Sequence, residues 1–192
     1  MKSNPSFTIY CGPMFSSKTS RLLMELERVK YQHKDFVVFK PLIDSRYSEV
    51  NIVTHAGWTQ SAINVKSGSD VLYHLSEMES EPHLVAIDEA FMIPGISEAL
   101  IFLFKSGFNI LVSSLDMASN GKPFAEISQM LPFATRIKKC TAICTICGQN
   151  AHYTYKKTDG GDEHLVHVGG SELYEPRCFE HHLGIKEIIG NK

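Results

Sequence analysis

The 192-residue chain lacks several features that identify broad classes of protein. No apolar run approaches the length of about 18 residues that a membrane-spanning helix needs. The first residues contain no apolar stretch followed by a cleavage site, so no secretory signal is expected. Nineteen Lys and Arg against twenty-one Asp and Glu give a net charge of −2, which is not the basic excess of proteins that bind a nucleic-acid backbone. We therefore expect a cytoplasmic protein without a membrane or nucleic-acid partner.

Cysteine is scarce and unevenly placed. The chain has five Cys, and an odd number in a reducing compartment argues against a disulfide framework. All but one lie after position 139, where the segments become short, polar and rich in turns. Internal repeats, low-complexity stretches and Pro/Gly-rich linkers are also absent. The sequence therefore predicts two unlike parts, with a boundary near 139–141.

Residues 6–139 alternate between short apolar runs and amphipathic helical patterns. The runs that predict buried strands are Phe7–Cys11, Phe36–Phe39, Leu84–Ile87 and Asn109–Ser113. Helices are predicted over residues 20–30, 70–78, 96–105 and 123–131. Repeated β-then-α units with continuous apolar strands predict a parallel sheet that is covered on both faces. Ligands then bind at the carboxyl ends of the strands.

The segment GPMFSSKT at 12–19, between the first strand and the first helix, is close to the phosphate-loop pattern G-x-x-x-x-G-K-[ST]. Backbone N–H groups and a lysine hold phosphate oxygens in such a loop, and the Ser or Thr hydroxyl binds Mg²⁺. Ser17 stands where the pattern has its second glycine. A serine there costs about 1–2 kcal/mol if the position needs a positive φ, and little if the backbone is helical.

Two adjacent carboxylates, Asp88 and Glu89, follow the apolar run Leu84–Ile87. In phosphate-loop enzymes an Asp at such a strand end holds Mg²⁺, and a neighbouring Glu can take a proton from a nucleophile. Taken alone, the pair is also compatible with a solvated strand end. Its combination with a phosphate loop favours the catalytic interpretation.

The cysteine-rich end contains two ligand pairs, Cys144-x₂-Cys147 and Cys178-x₂-His181. Three thiolates and one imidazole suit tetrahedral Zn²⁺, and a filled set of this kind leaves no open position, so the metal is expected to be structural. His182 is adjacent and could replace His181. The remaining Cys11 and Cys140 are expected to be buried, apolar-like residues.

Two further segments are less specific. Residues 40–47 follow the second strand and include Asp44 and Arg46; an Arg at this edge could meet phosphate charge, although a solvated loop is the commoner interpretation of such a segment. Residues 168–174 contain paired glycines and Tyr174, which could approach and stack on a ligand, or form a plain turn with a packing tyrosine.

Together these motifs resemble the type II, zinc-containing thymidine kinase family. The resemblance runs from about residue 7 to 182, in the family's order, and is carried by GPMFSSKT, KPLIDSRY, TH at 54–55, IDEA, LDMASNGKPF at 115–124, CTAICTICG and VGGSELYEPRC. It implies a phosphate-loop (RecA-like) α/β parallel-sheet core, residues 1–139, that binds ATP. A small zinc-ribbon-like β domain, residues 140–192, would follow and carry a lasso-type loop.

The resemblance also implies an activity. Members of this family transfer the γ-phosphate of ATP, with Mg²⁺, to the 5′-hydroxyl of thymidine or deoxyuridine. The product, dTMP, enters DNA synthesis through deoxynucleoside salvage. Family members are typically homotetramers inhibited by dTTP, and a structural Zn²⁺ is expected.

Site residues carry over by position. As catalytic residues the resemblance implies Glu89 (the base), Arg46 (perhaps with Asp44) and Lys18. For ATP and Mg²⁺ it implies Gly12, Ser16, Ser17, Lys18, Thr19 and Asp88. For the nucleoside it implies Met14, Asp44, Leu115, Phe124, Thr154, Val168, Gly169, Gly170 and Tyr174. For zinc it implies Cys144, Cys147, Cys178 and His181.

Some positions depart from the family pattern. Ser17 replaces a glycine, and Phe91-Met92-Ile93 stands where Gln-Phe-Phe is usual. These departures lie near the expected active site and leave a second interpretation open, a catalytically impaired paralogue that binds nucleotide as a regulator. A third is an unrelated phosphate-loop ATPase with a zinc ribbon, acting on nucleic acid or protein.

Overall fold

A computed structural model describes residues 4–43, 51–53, 57–157 and 169–182. Its strands are β1 (Phe7–Cys11), β2 (Phe36–Pro41), β3 (Asn51–Val53), β4 (Thr59–Ser61), β5 (Ile63–Val65), β6 (Leu84–Ile87), β7 (Asn109–Ser114), β8 (Arg136–Lys139), β9 (Ala142–Ile143), β10 (Asn150–Ala151), β11 (Tyr153–Lys156) and β12 (Tyr174–Arg177). Its α-helices are α1 (Lys18–Tyr31), α2 (Gly68–Ser76), α3 (Ile96–Lys105) and α4 (Ala125–Met130). Single 3₁₀ turns span Ala90–Met92, Leu131–Phe133 and Phe179–His181.

The central sheet has six strands in the order β5-β2-β6-β7-β1-β8. Every neighbouring pair in it runs parallel. Alternate residues of β1 point to opposite faces, so that Phe7 and Ile9 join one apolar cluster and Tyr10 joins the other. Because both of their faces are buried, β1, β2, β6 and β7 are mostly apolar, which is why the sequence reveals them. The edge strand β8 is exposed at all four residues, three of them basic, and was not expected from the sequence.

Helices cover the two faces unequally. On one face α1 packs through Leu22 and Leu26. On the other face α2, α3 and α4 contribute Val71, Leu100 and Ile127. The two clusters together form the core, and all carboxyl ends of the parallel strands lie at one edge of the sheet, where β1 leads into residues 12–17 and β6 leads into Asp88.

The predicted strands and helices of residues 6–139 are confirmed, with shifts at their ends. The strand β2 continues through Lys40 and Pro41 because β5 pairs with its last three residues. Neither β5 nor the antiparallel pair β3–β4 was expected from the sequence, since three-residue strands are too short to show a hydrophobic period.

The chain after Lys139 forms short antiparallel pairs, β9 with β10 and β11 with β12. This part also contains a cluster of three Cys and one His. The predicted fold class, an α/β parallel sheet followed by a small β part with a zinc-ligand set, is thereby confirmed. The division into domains 1–139 and 140–192 stays a prediction. Among the residues described, no helix has the length and hydrophobicity that crossing a bilayer requires.

Candidate active site and metal centre

The phosphate-loop segment links the end of β1 to the start of α1. Its backbone has three residues at positive φ, with Gly12 at 141°, Phe15 at 63° and Ser17 at 59°. Ser17, the residue just before α1, has ψ of 30°, which is the left-handed region. The sequence alone does not determine whether Ser17 has a helical or a left-handed backbone. In the structure Ser17 has the left-handed conformation that favours glycine, at a cost of about 1–2 kcal/mol.

Gly12 is required here by its surroundings as well as by its φ. A Cβ built on Gly12 lies 2.3 Å from the carbonyl oxygen of Cys140, a backbone atom. The backbone N–H of Cys140 donates in turn to the carbonyl of Cys11 at 2.7 Å. The beginning of the phosphate loop is therefore pressed against the chain that leaves β8.

Lys18 begins α1 and is buried, with 7% of its surface exposed. Its Nζ donates to the carbonyl of Pro13 at 2.6 Å and to Ser16 Oγ at 3.4 Å. Burial lowers the pKa of the Lys18 amine below its usual value, while the carboxylates of Glu89 and Asp88 act in the opposite direction. Lys18 thus lies inside the loop, close enough to both acidic residues to be influenced by their charge.

Asp88 lies directly after β6 and is 4% exposed. Thr19 Oγ1 donates to its two carboxylate oxygens at 3.2 and 3.3 Å, and Ser113 Oγ donates to its Oδ1. The structure therefore brings together three groups from β6, β7 and the start of α1. A Thr hydroxyl beside an Asp carboxylate is a donor set that suits Mg²⁺.

Glu89 follows Asp88 in an unusual backbone conformation. It has φ of 51° and ψ of 44° and precedes the 3₁₀ turn Ala90–Met92, which its carbonyl helps to close by accepting the N–H of Met92 at 3.1 Å. Non-glycine residues in this region store strain, and such residues cluster at functional sites. Its side chain is half-buried beside the phosphate loop.

Ser113 is a site residue that the sequence analysis missed. Ser113 and Ser114 end β7, which lies between β1 and β6 in the sheet. Ser113 holds Asp88, and Ser114 Oγ accepts the N–H of Phe91 at 3.0 Å. The available signal was a pair of polar residues at the carboxyl end of an otherwise apolar strand.

The residues predicted to surround the nucleoside base fall into two groups. Met14 packs against the apolar cluster that contains Leu115 and Phe124, and its backbone N–H donates to Thr154 Oγ1 at 3.0 Å. The ring of Phe91 lies 4.5 Å from that of Phe124. The structure thus joins Met14 to Thr154 by a hydrogen bond and places Leu115 and Phe124 in the large apolar cluster against which Met14 packs.

The second group belongs to the predicted lasso segment. The carbonyl of Gly170 accepts the N–H groups of Leu173 and Tyr174 at 3.2 and 3.0 Å, which makes a tight turn. Tyr174 then begins β12 opposite Lys156 and is 8% exposed. Gly169 is buried just before this turn. Stacking of Tyr174 on a base therefore stays a prediction, as do the roles of the two glycines.

Three predicted site residues, Asp44, Arg46 and Val168, lie outside the described residues. The elements that flank them are described: β2 ends at Pro41, and the segment that follows Val168 starts at Gly169. The expected roles of these three residues stay predictions.

The four predicted zinc ligands lie together. Their ligand atoms are all within 4.8 Å of one another. Zinc with Zn–S distances of about 2.3 Å places tetrahedral ligand atoms about 3.8 Å apart. The Sγ atoms of Cys147 and Cys178 are 3.7 Å apart, and His181 Nδ1 lies 3.8 Å from Cys144 Sγ. The cluster can therefore hold a zinc ion with three sulfurs and one imidazole nitrogen.

The other histidine and the other two cysteines have different surroundings. His182 Nε2 lies 2.9 Å from the carbonyl oxygen of Thr154, so the structure assigns the fourth ligand position to His181. Cys11 and Cys140 are buried, as predicted. Burial, followed by the charge of Asp116, raises the pKa of Cys11 to about 11. Burial also raises the pKa of Cys140, so both thiols stay protonated.

Comparison with known protein families agrees with this geometry. The family model described as thymidine kinase matches residues 5–182. Because the match covers most of the chain, the protein belongs to the thymidine kinase family.

Proposed function

We propose that this member of the thymidine kinase family transfers the γ-phosphate of ATP to the 5′-hydroxyl of thymidine or deoxyuridine. Family membership supports a nucleoside kinase in general. The observation that carries the finer proposal is the contact between Thr19 Oγ1 and the Asp88 carboxylate at 3.2 and 3.3 Å. It joins the phosphate loop to an acidic strand end, with Glu89 next in the chain.

The phosphate groups of ATP are proposed to bind the loop of Gly12, Ser16, Ser17, Lys18 and Thr19. Its backbone N–H groups lead into the start of α1, where partial positive charge favours an anion. Lys18 Nζ now donates to the carbonyl of Pro13, a neutral acceptor for which phosphate oxygens can substitute. Because burial lowers the pKa of Lys18, an adjacent anionic phosphate favours its charged form.

Mg²⁺ is proposed to be held by Thr19 and Asp88, where it would neutralise charge on the β- and γ-phosphates. Ser113 positions the Asp88 carboxylate by donating to one of its oxygens. This arrangement fixes the direction in which Asp88 presents its oxygens to the loop.

Glu89 is proposed as the base that accepts the proton of the 5′-hydroxyl. Its left-handed backbone turns the chain sharply after β6, which supports a functional reason for retaining the strain. Arg46, with Asp44, is proposed to stabilise the transferred phosphoryl group, on the strength of the family resemblance alone.

The base is proposed to lie among Met14, Leu115, Phe124 and Thr154. Met14 packs against the large apolar cluster to which Leu115 and Phe124 belong and bonds to Thr154 through its backbone N–H, which supports an apolar pocket of the kind that a thymine methyl group needs. Backbone groups of Val168, Gly169 and Gly170, together with Tyr174, are proposed to hold the polar edge of thymine.

The remaining proposals concern the protein as a whole. A zinc ion held by Cys144, Cys147, Cys178 and His181 would be structural, because four protein ligands would fill its tetrahedral positions and leave none for a substrate. From the family resemblance we also propose a cytoplasmic homotetramer, divided at 139/140 into two domains. The enzyme would be inhibited by dTTP and supply dTMP for DNA synthesis by salvage.

The test is an assay of dTMP formation from ATP, Mg²⁺ and a panel of deoxynucleosides. Glu89→Gln keeps the side-chain size but removes the basic carboxylate, so turnover should fall by about 10²–10⁴-fold while ATP still binds. The matched control is Glu98→Gln, on the exposed side of α3, which should leave turnover unchanged.

Other outcomes have definite meanings. Unchanged turnover in Glu89→Gln would remove Glu89 from the role of base. Binding of thymidine or dTTP by the wild-type chain without phosphate transfer would identify a regulatory paralogue. ATP hydrolysis that is stimulated by nucleic acid would identify an unrelated ATPase.

A further inference from the structure

The tip of the phosphate loop rests on the part of the chain that holds the zinc ligands. We call the described residues 140–157 and 169–182 the zinc segment. The backbone N–H of Met14 donates to Thr154 Oγ1, 140 positions away, at 3.0 Å. The ring of the next residue, Phe15, packs against the cluster of Ala142, Ala151 and the zinc ligands Cys144 and Cys178. The loop and the metal site thus share one apolar contact.

Phe15 has a strained backbone conformation in the phosphate loop. Its φ of 63° is a true outlier for a bulky residue. Ser16 Oγ and Lys18 Nζ both donate to the carbonyl of Pro13, so these hydrogen bonds tie together the residues on either side of Phe15. The ring of Phe15 itself packs against the zinc segment. Packing of that ring offsets the backbone strain, so the zinc segment helps to determine the shape of the loop.

Thr154 is held in place by the residue that follows the last zinc ligand. His182 is 2% exposed, and its Nε2 lies 2.9 Å from the carbonyl oxygen of Thr154. Because a carbonyl can only accept, the Nε2 atom carries the proton. The His182 ring also lies 5.7 Å from that of Tyr153 and 5.8 Å from that of Tyr155. Ligation of His181 therefore restricts the position of His182, which in turn positions Thr154.

We propose that Phe15, Thr154 and His182 are positioning residues that couple zinc binding to nucleotide binding. The proposal rests on the proposed phosphate-binding role of the loop. When zinc is bound, the positions of Cys144 and Cys178, against which Phe15 packs, are restricted by the metal. Ligation of His181 restricts the position of its neighbour His182 in the same way. When zinc leaves, both supports weaken, and the phosphate loop loses the shape that ATP requires. None of the four zinc ligands needs to touch ATP for this to occur.

Coupling of this kind is reciprocal, so it can be measured without removing all of the metal. The experiment measures the zinc affinity of the full chain by competition with a chromogenic chelator, with and without saturating MgATP. We expect MgATP to raise the zinc affinity of the wild-type chain by about tenfold. Equal zinc affinities with and without MgATP would overturn the proposal.

Variants then locate the coupling. Phe15→Ala removes the ring but no zinc ligand, so it should bind about one zinc per chain and show less than about threefold coupling. Phe15→Leu restores part of the apolar contact and should recover part of the coupling. Phe179→Ala, a matched loss of a partly exposed ring (39% exposed) within the zinc segment, should retain the wild-type value.

The variants also distinguish this proposal from the proposed function. Full coupling in Phe15→Ala would contradict the role of Phe15. Formation of dTMP is measured separately on the same preparations. A wild-type chain that couples zinc to MgATP but forms no dTMP would keep this inference and reject the proposed phosphate transfer.

Discussion

The parallel sheet and the zinc segment are stabilised by different means. The sheet buries large side chains on both faces, such as Phe7, whose ring lies 5.6 Å from that of Phe104 in α3, and Tyr10, which shares the other apolar cluster with Leu22 of α1. The apolar cluster of the zinc segment contains small residues and two of the zinc ligands, and its largest ring, Phe15, comes from the phosphate loop. A core of that size cannot offset the entropy of ordering its own chain. The sheet therefore depends on apolar burial, whereas we expect the zinc segment to depend on a bound zinc ion and on its contacts with the loop.

Polar contacts in the zinc segment arrange the metal site and do not replace the metal. The Arg177 guanidinium lies 4.7 Å from the centre of the Tyr155 ring, pairs with Glu175 and donates to the carbonyl of His181 at 3.3 Å. The two side chains of this ion pair are 17% and 16% exposed, and in such a pair the loss of hydration offsets much of the attraction between the charges, so its net contribution to stability is small. Substitution of a zinc ligand is therefore expected to change the stability of the zinc segment more than any other substitution considered below.

Loss of one zinc ligand should destabilise the zinc segment and leave the sheet folded. Cys147→Ser removes a thiolate, and structural zinc sites contribute about 10–16 kcal/mol of apparent binding free energy in small zinc peptides. We expect zinc content to fall from about one equivalent per chain to less than about a tenth of that. Hydrogen exchange measured by mass spectrometry should show loss of amide protection in β11 and β12, with protection retained in β6 and β7.

The matched control is Cys140→Ser, which changes a buried cysteine outside the ligand set. It should keep its zinc and its protection in β11 and β12. If the zinc-free Cys147→Ser protein kept full protection in those two strands, the zinc segment would be stabilised by its own packing, and the contrast with the sheet would fail.

The junction between the two regions offers a second test. Gly12→Ala places a Cβ 2.3 Å from the carbonyl oxygen of Cys140 at a φ of 141°. Because a Cβ is fixed rigidly to its own backbone and the oxygen that it meets is a backbone atom, relief requires the end of β1 and the start of the zinc segment to move apart. We expect the free energy of unfolding, measured in urea with zinc present, to fall by about 1–3 kcal/mol from the overlap, and by a further 1–2 kcal/mol or so from backbone strain.

Gly107→Ala separates the two contributions. Gly107 has φ of 99°, and a Cβ there meets nothing within 4 Å, so only the strain should remain. If the free energy of unfolding fell equally in the two variants, the backbone around Gly12 would move at little cost. The close approach of Cys140 to Gly12 would then not hold the two regions together.

Features carried by neighbouring residues could be predicted from the sequence. The strands of four to six apolar residues, the segment from Gly12 to Thr19, the Asp88-Glu89 pair and the Cys and His spacing all lie within short windows. The remainder depends on register and packing. Ser113 meets Asp88 only because β6 pairs with β7, and Met14 meets Thr154 across 140 positions. No local sequence pattern predicts such contacts. The left-handed backbone of Glu89 could not be predicted from the sequence either.

The smallest expected effect concerns strain inside the phosphate loop, on the side of the junction that belongs to the sheet. Ser17 has φ of 59° and is exposed, so Ser17→Gly relieves about 1–2 kcal/mol of backbone strain and removes few contacts. Glycine costs about 0.5–1 kcal/mol in the unfolded chain. The free energy of unfolding should therefore rise by about 0.5–1 kcal/mol. Ser20→Gly, at a helical position of α1, should instead lower it by a similar amount.

Urea denaturation of both variants against the wild type measures these opposite signs. If Ser17→Gly were as destabilising as Ser20→Gly, the left-handed conformation would not be costly to serine at this position. If the signs differ as expected, the loop carries its strain at Ser17 as well as at Phe15. Of these two residues, only Phe15 has packing from the zinc segment to offset the strain, so Ser17→Gly should stabilise the chain equally with zinc bound and in the Cys147→Ser background.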